Sequence, residues 1–109
     1  MSFVQNTERM HAYKCNSSPI SSLWLDYHQN QKDYVKRLAK EVRDDLIVRL
    51  YMHDENWDQT NRWQDEFEGL ILDDGSSKIE NLYNRSRLVI ATNHGTTHVE
   101  SIHFGIPTL

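Results

Sequence analysis

Cysteine is all but missing from this chain. Cys15 stands alone among 109 residues, so no disulfide can form within the chain, and a cysteine-rich zinc module is excluded. A lone thiol suits a reducing cytoplasm. Positive charge is also scarce: 12 Lys and Arg against 16 Asp and Glu give a net charge of −4. The basic footprint that a nucleic acid requires is absent, and an anionic ligand would have to be met by local groups. Long apolar runs are lacking too. Nothing approaches the roughly 18 residues of a membrane span, and Met1 to Met10 has no apolar core of a secretory signal. These absences point to a cytoplasmic protein with no integral membrane segment and no nucleic-acid partner. There is no internal repeat and no low-complexity tract.

What is present belongs to an ordinary globular chain. A hydrophobic share of 38% and an aromatic share of 10%, three Trp included, argue against general disorder. The length suits one domain or part of one.

Residues 1–21 show no period and read as an irregular segment, with a turn at Asn16-Ser17-Ser18-Pro19. Periodicity then sets in. Trp24, Tyr27, Gln31, Tyr34, Val35 and Leu38 recur at steps of three and four, the apolar stripe of a helix over about 21–41, with Ser21 or Ser22 as its N-cap. The β-branched run Leu46 to Met52 predicts a strand buried on both faces. A short helix over 58–67 follows, with Asp58 as N-cap and Trp63 and Phe67 inward. Leu70 to Leu72 predicts a second strand, closed by the turn Asp73-Asp74-Gly75-Ser76. A helix over 77–85 places Ile79, Leu82 and Tyr83 inward. Leu88 to Thr92 predicts a third strand, 96–104 a helix ended by Gly105 at C′, and Ile106 onward the start of a fourth strand. Strands alternating with helices mean parallel βαβ units, hence an α/β fold: a partial Rossmann-like parallel sheet of about four strands flanked by helices. The chain divides into the irregular segment 1–21 and a partial domain over 22–109. Because it stops at Leu109 where a strand has barely begun, a fragment of a longer protein is expected.

Open parallel sheets bind ligands beyond the carboxyl ends of their strands. Two loops qualify. The second, Asn93-His94-Gly95-Thr96-Thr97, is a tight strand-to-helix turn. Gly95 lets backbone approach a ligand closely, Thr96 and Thr97 offer hydroxyls, and a helix N-terminus attracts phosphate. Glu100, about one turn further in, can accept hydrogen bonds from a ribose diol. The structural alternative is that Asn93 and Thr96 merely cap the helix, with Glu100 an ordinary solvated residue. Zinc on His94 and His98 is disfavoured, because Gly95 and the turn place His94 before the helix and spoil the i, i+4 geometry. In the first loop Asp54 is a weak candidate for a general base, set against a turn former. Arg49, inside an apolar strand, is an edge residue or an ion-pair partner, or else a clamp for phosphate or carboxylate. Trp57 and Trp63 read as packing residues.

Three stretches carry a resemblance: Arg49 to Trp57, then Arg62-Trp63, then Arg87 to Thr108, which ends in Gly105-Ile106-Pro107-Thr108. They resemble a family of bacterial transferases linked to surface carbohydrate biosynthesis, which is similar to the GT-B glycosyltransferases. The resemblance covers about residues 22–109 and implies the C-terminal, donor-binding domain of a two-domain enzyme. It implies that Asn93, His94, Gly95, Thr96 and Thr97 hold the diphosphate of a nucleotide-sugar donor. It further implies that Glu100 binds the ribose and that Arg49 and Asp54 belong to a motif near the cleft. Glu55 and Asn56 depart from the family's aromatic and glycine before the Trp. The GT-B route it implies needs no metal and no cofactor, and takes its acceptor site from a further domain or partner chain. The chain alone is therefore expected to be inactive. A non-enzymatic α/β interaction module, or an inactive remnant of such a transferase, is the alternative. GT-B donor domains also place a central strand before the first helix. Either His11 to Lys14 fills that slot, or strands 46–52 and 88–92 pair directly, and direct pairing or an ill-formed gap is the favoured expectation.

Overall fold

A computed structural model of the chain describes residues 1–7, 10, 21–93 and 95–109. The first strand, β1, is Ser2–Val4. A single 3-10 turn at Ser21–Leu23 leads into α1, Trp24–Arg37, and then α2, Lys40–Asp44. The chain continues through β2 (Ile47–Arg49), α3 (Gln59–Gln64), β3 (Ile71–Asp73), α4 (Ile79–Tyr83), β4 (Val89–Ala91) and α5 (Thr96–His103). The four strands form one parallel sheet in the order β3-β2-β1-β4. A parallel bridge from Val89 to Thr108 extends it beyond β4. The fold is α/β, with an all-parallel sheet and helices on both faces.

The central strand corrects the expected direct pairing. β2 and β4 do not touch as strands, because β1 lies between them with Phe3 opposite both Val48 and Ile90. His11 to Lys14 lies outside the described residues. The sequence hid β1 because its environment is partly polar. Ser2 is fully buried with its hydroxyl on Ser86, and Gln5 and Thr7 just beyond it are buried as well. For Ser2 and Gln5, side-chain hydrogen bonds rather than an apolar run make burial tolerable.

Alternation along the strands sorts the core into two layers. Phe3, Val48 and Ile90 point to the α1/α3 face, where Val35, Leu46, Leu50 and Trp63 complete the cluster. Val4 and Val89 point to the other face and meet Leu82 and Tyr83 of α4. The switch of faces follows from handedness. Stepping from β1 to β2 to β3 in one direction puts the right-handed crossovers on one face, and the return from β3 to β4 puts α4 on the other.

Local geometry revises several caps. Neither Ser21 nor Ser22 caps α1; Leu23 holds that position without a side-chain bond. Asp58 precedes α3 in the left-handed region, at φ 53°, and does not cap it through its side chain. The cap is Asp54, whose two carboxylate oxygens accept the Asp58 and Gln59 N–H groups, each at 2.7 Å. Gly105 ends α5 as expected: at φ +72° it donates to the Ile102 carbonyl, while Ile106 donates to that of Ser101. Among the described residues no helix is long and apolar enough to cross a membrane.

Candidate functional site

The reversal of strand order falls between β1 and β4, and there the carboxyl ends of β1, β2 and β4 open into a cleft of about 440 Å³. That is within the roughly 300–1,000 Å³ of small-molecule sites, at the topological switch point where open α/β sheets bind ligands. One wall is Asn93, Gly95, Thr96 and Thr97; the other is Tyr51 to His53; Gln5 and Asn6 lie at the end of β1 between them.

The β4–α5 wall is a strand-to-helix turn, and its cap differs from the one expected. Neither Asn93 nor Thr96 is the N-cap of α5: that position is held by Gly95, extended at φ −86°, which has no side chain to cap the helix. The first turn of a helix lacks internal acceptors for its N–H groups, so this terminus faces the cleft as a partial positive charge. Gly95 is close to its neighbours. A Cβ there would meet Asn93 Oδ1 at 3.1 Å. His94 lies outside the described residues.

Glu100 is exposed on α5 and is not among the residues lining the cleft. Its Oε2 lies 3.5 Å from the hydroxyl of buried Tyr83, which also donates to the Thr97 carbonyl at 3.3 Å. Burial, reinforced by the Glu100 charge, pushes the Tyr83 phenol up to about 12, so it stays a donor at neutral pH.

Arg49 lies on the cleft floor, and its guanidinium is engaged by the chain itself. It bonds Asp73 at 2.7 Å, the cross-strand partner in register, and reaches the carbonyls of Gly75 and Ser77 at 3.0 and 2.6 Å. The ion-pair reading describes this geometry. Gly75 completes the lock: at φ +79° its backbone packs so closely that a Cβ would meet the Leu50 carbonyl at 2.8 Å. Together they pin the β3–α4 turn against the end of β2. Asp54 is not among the lining residues, and both its oxygens serve the α3 cap.

Sequence reasoning missed the β1 contribution. Gln5 accepts the Trp63 indole N–H at 2.9 Å and faces His28 Nδ1 at 3.3 Å, so its amide is oriented from beneath. His28 stacks on Trp24 (4.8 Å), which stacks on Trp57 (4.4 Å), and meets the edge of Trp63. The one readable signal was the step from apolar Phe3-Val4 to polar Gln5-Asn6-Thr7, the mark of a strand end opening on a site.

The chain matches the model of the LIC12162 family transferases over residues 2–109. It belongs to that family. The match takes in β1 as well as the β4–α5 loop, so every wall of the cleft lies inside the LIC12162 family region. No curated protein and no solved structure matches.

Proposed function

We propose that this LIC12162 family chain is the donor-binding part of a glycosyltransferase of surface polysaccharide synthesis, and that the cleft at the β1/β4 switch point takes the diphosphate of a nucleotide-sugar. The observation that carries the reading is the N-terminus of α5, which begins at a glycine and brings Gly95, Thr96 and Thr97 to a cleft of small-molecule size. Backbone N–H groups and threonine hydroxyls bind the phosphates, while Arg49, paired with Asp73, holds the β3–α4 turn that forms the cleft floor. Glu100 accepts from the ribose diol, its carboxylate approached from behind by Tyr83. The acceptor and the catalytic base come from a further domain or a partner chain, so the chain alone transfers no sugar.

Isothermal titration of the chain with UDP, GDP and CMP tests this. Binding by at least one, weakened about tenfold in Glu100→Ala as expected for losing a charge-assisted hydrogen bond, is the expected result. Equal affinity in the variant removes Glu100 from the site. Failure of all three nucleotides to bind the unaltered chain overturns the reading.

A further inference from the structure

The backbone tie between β1 and β4 ends where the cleft begins. Val4 pairs with Ala91, and the last bond, from Thr92 N–H to the Val4 carbonyl, is already long at 3.3 Å. Beyond it the strands part. Gln5 donates to the Arg49 carbonyl at 3.0 Å and so follows β2, while β4 runs on through Asn93 into α5. Something other than the sheet must fix the gap between Asn6 on one side and Asn93 and Gly95 on the other.

Tyr27 stands at that fork. It projects from α1, and its hydroxyl accepts the Asn6 N–H at 3.0 Å. The same hydroxyl bonds Thr92 Oγ1, and Thr92 Oγ1 bonds the Val4 carbonyl at 2.9 Å. The direction of every proton is forced. A backbone N–H only donates and a carbonyl only accepts, so Tyr27 donates to Thr92 and Thr92 donates to Val4. The hydroxyls are spent in one directed chain that joins the end of β1 to the end of β4. Tyr27 is not itself among the lining residues. The neighbouring Gln5 is pinned from the same side by Trp63 and His28, so two successive residues at this rim are held from below. Burial raises the Tyr27 phenol above its ordinary value, which keeps the donor in place at neutral pH.

We infer that Tyr27 is a positioning residue: it bridges the diverging ends of β1 and β4, sets the width of the switch-point cleft, and thereby sets affinity for a nucleoside diphosphate that it never touches. This rests on the nucleotide-binding reading above. Preorganised walls matter because a ligand otherwise meets the cost of ordering them.

The test compares Tyr27→Phe and Thr92→Val with Thr92→Ser, which keeps a hydroxyl in the chain. Val35→Ala serves as a core variant that is destabilised elsewhere. Affinity for UDP and GDP is measured by calorimetry at a temperature where circular dichroism shows each variant folded. The expected result is binding about tenfold weaker in Tyr27→Phe and Thr92→Val, within about twofold of the unaltered chain in Thr92→Ser, and unchanged in Val35→Ala. Amide shifts at Asn6 and Gly95 should move in the two weakened variants without ligand. If Tyr27→Phe fails to fold, Thr92→Val carries the comparison. Equal affinity in the bridging variants, with the unaltered chain binding well, overturns the positioning role and leaves the nucleotide site standing. No binding by the unaltered chain overturns both.

Discussion

Two loops leave the carboxyl end of the same sheet, and they spend their polar groups in opposite ways. The loop after β2 turns its chemistry inward. Asp54 gives both carboxylate oxygens to backbone N–H groups, and Glu55, Asn56 and Asp58 all take positive φ without a glycine among them. Trp57 then buries itself in a stack with Trp24. The loop after β4 turns outward: a glycine at the N-cap, no side-chain cap, and two threonines at the rim of the cleft. A loop whose donors and acceptors are matched within the chain builds structure. One that brings a glycine-started helix terminus to the edge of a cavity places backbone N–H groups and hydroxyls beside open space.

The widest separation between the loops should come from the aromatic platform under the first. Trp63 is fully buried and holds Gln5 through its indole N–H. Replacing Trp63 by Ala should cost about 3–5 kcal/mol, a large share of the roughly 5–15 kcal/mol typical of folded domains, as read by urea denaturation. A cost below about 1 kcal/mol would show that the platform is not what supports this side of the sheet.

Acid probes the same platform more gently. Burial, with help from the charge of Lys32, lowers the His28 imidazole to about 4. The folded value lies below the unfolded 6.5, so the unfolded chain binds the extra proton between them. Stability is therefore full above about pH 6.5 and is lost as pH falls towards 4, by on the order of 3 kcal/mol. His28→Leu should flatten that slope in a pH series of unfolding curves; an unchanged slope assigns it to other groups.

The last two substitutions set the loops directly against each other. Asp54→Ala should cost about 1 kcal/mol for the lost cap and leave nucleotide affinity alone. A collapse of affinity with stability intact would give Asp54 the catalytic or binding role that its hydrogen bonds argue against. Gly95→Ala should do the reverse. Its φ of −86° suits alanine, and the close Asn93 side chain can yield, so stability should change by less than about 0.5 kcal/mol while nucleotide binding weakens.

Periodicity made much of this legible. The helical stripe from Trp24 to Leu38, the β-branched runs and Gly105 each carry their structure in local spacing, and α1, β2, β4 and the end of α5 follow from them. So did the β4–α5 turn, since a glycine and two threonines between a strand and a helix are local facts. What depended on distant partners was not legible. β1 is buried through Ser2 and Gln5, whose partners Ser86, His28 and Trp63 lie far along the chain. Tyr27 fits an apolar stripe by spacing, and its hydroxyl acquires meaning only once Asn6 and Thr92 are brought to it. For Asp54 the sequence weighed a turn former against a weak general base, and its bonds to the Asp58 and Gln59 N–H groups are those of the former.

The place of β1 bears on how the molecule assembles. Among the described strands it alone pairs with both β2 and β4, and its partners Ile47 and Val89 lie far along the sequence. Local helices can form and melt on their own, whereas the sheet has no middle until these remote segments meet. Loop closure over such spans is slow compared with helix formation. The cleft therefore depends on a strand whose two partners lie about 45 and 87 residues away along the chain.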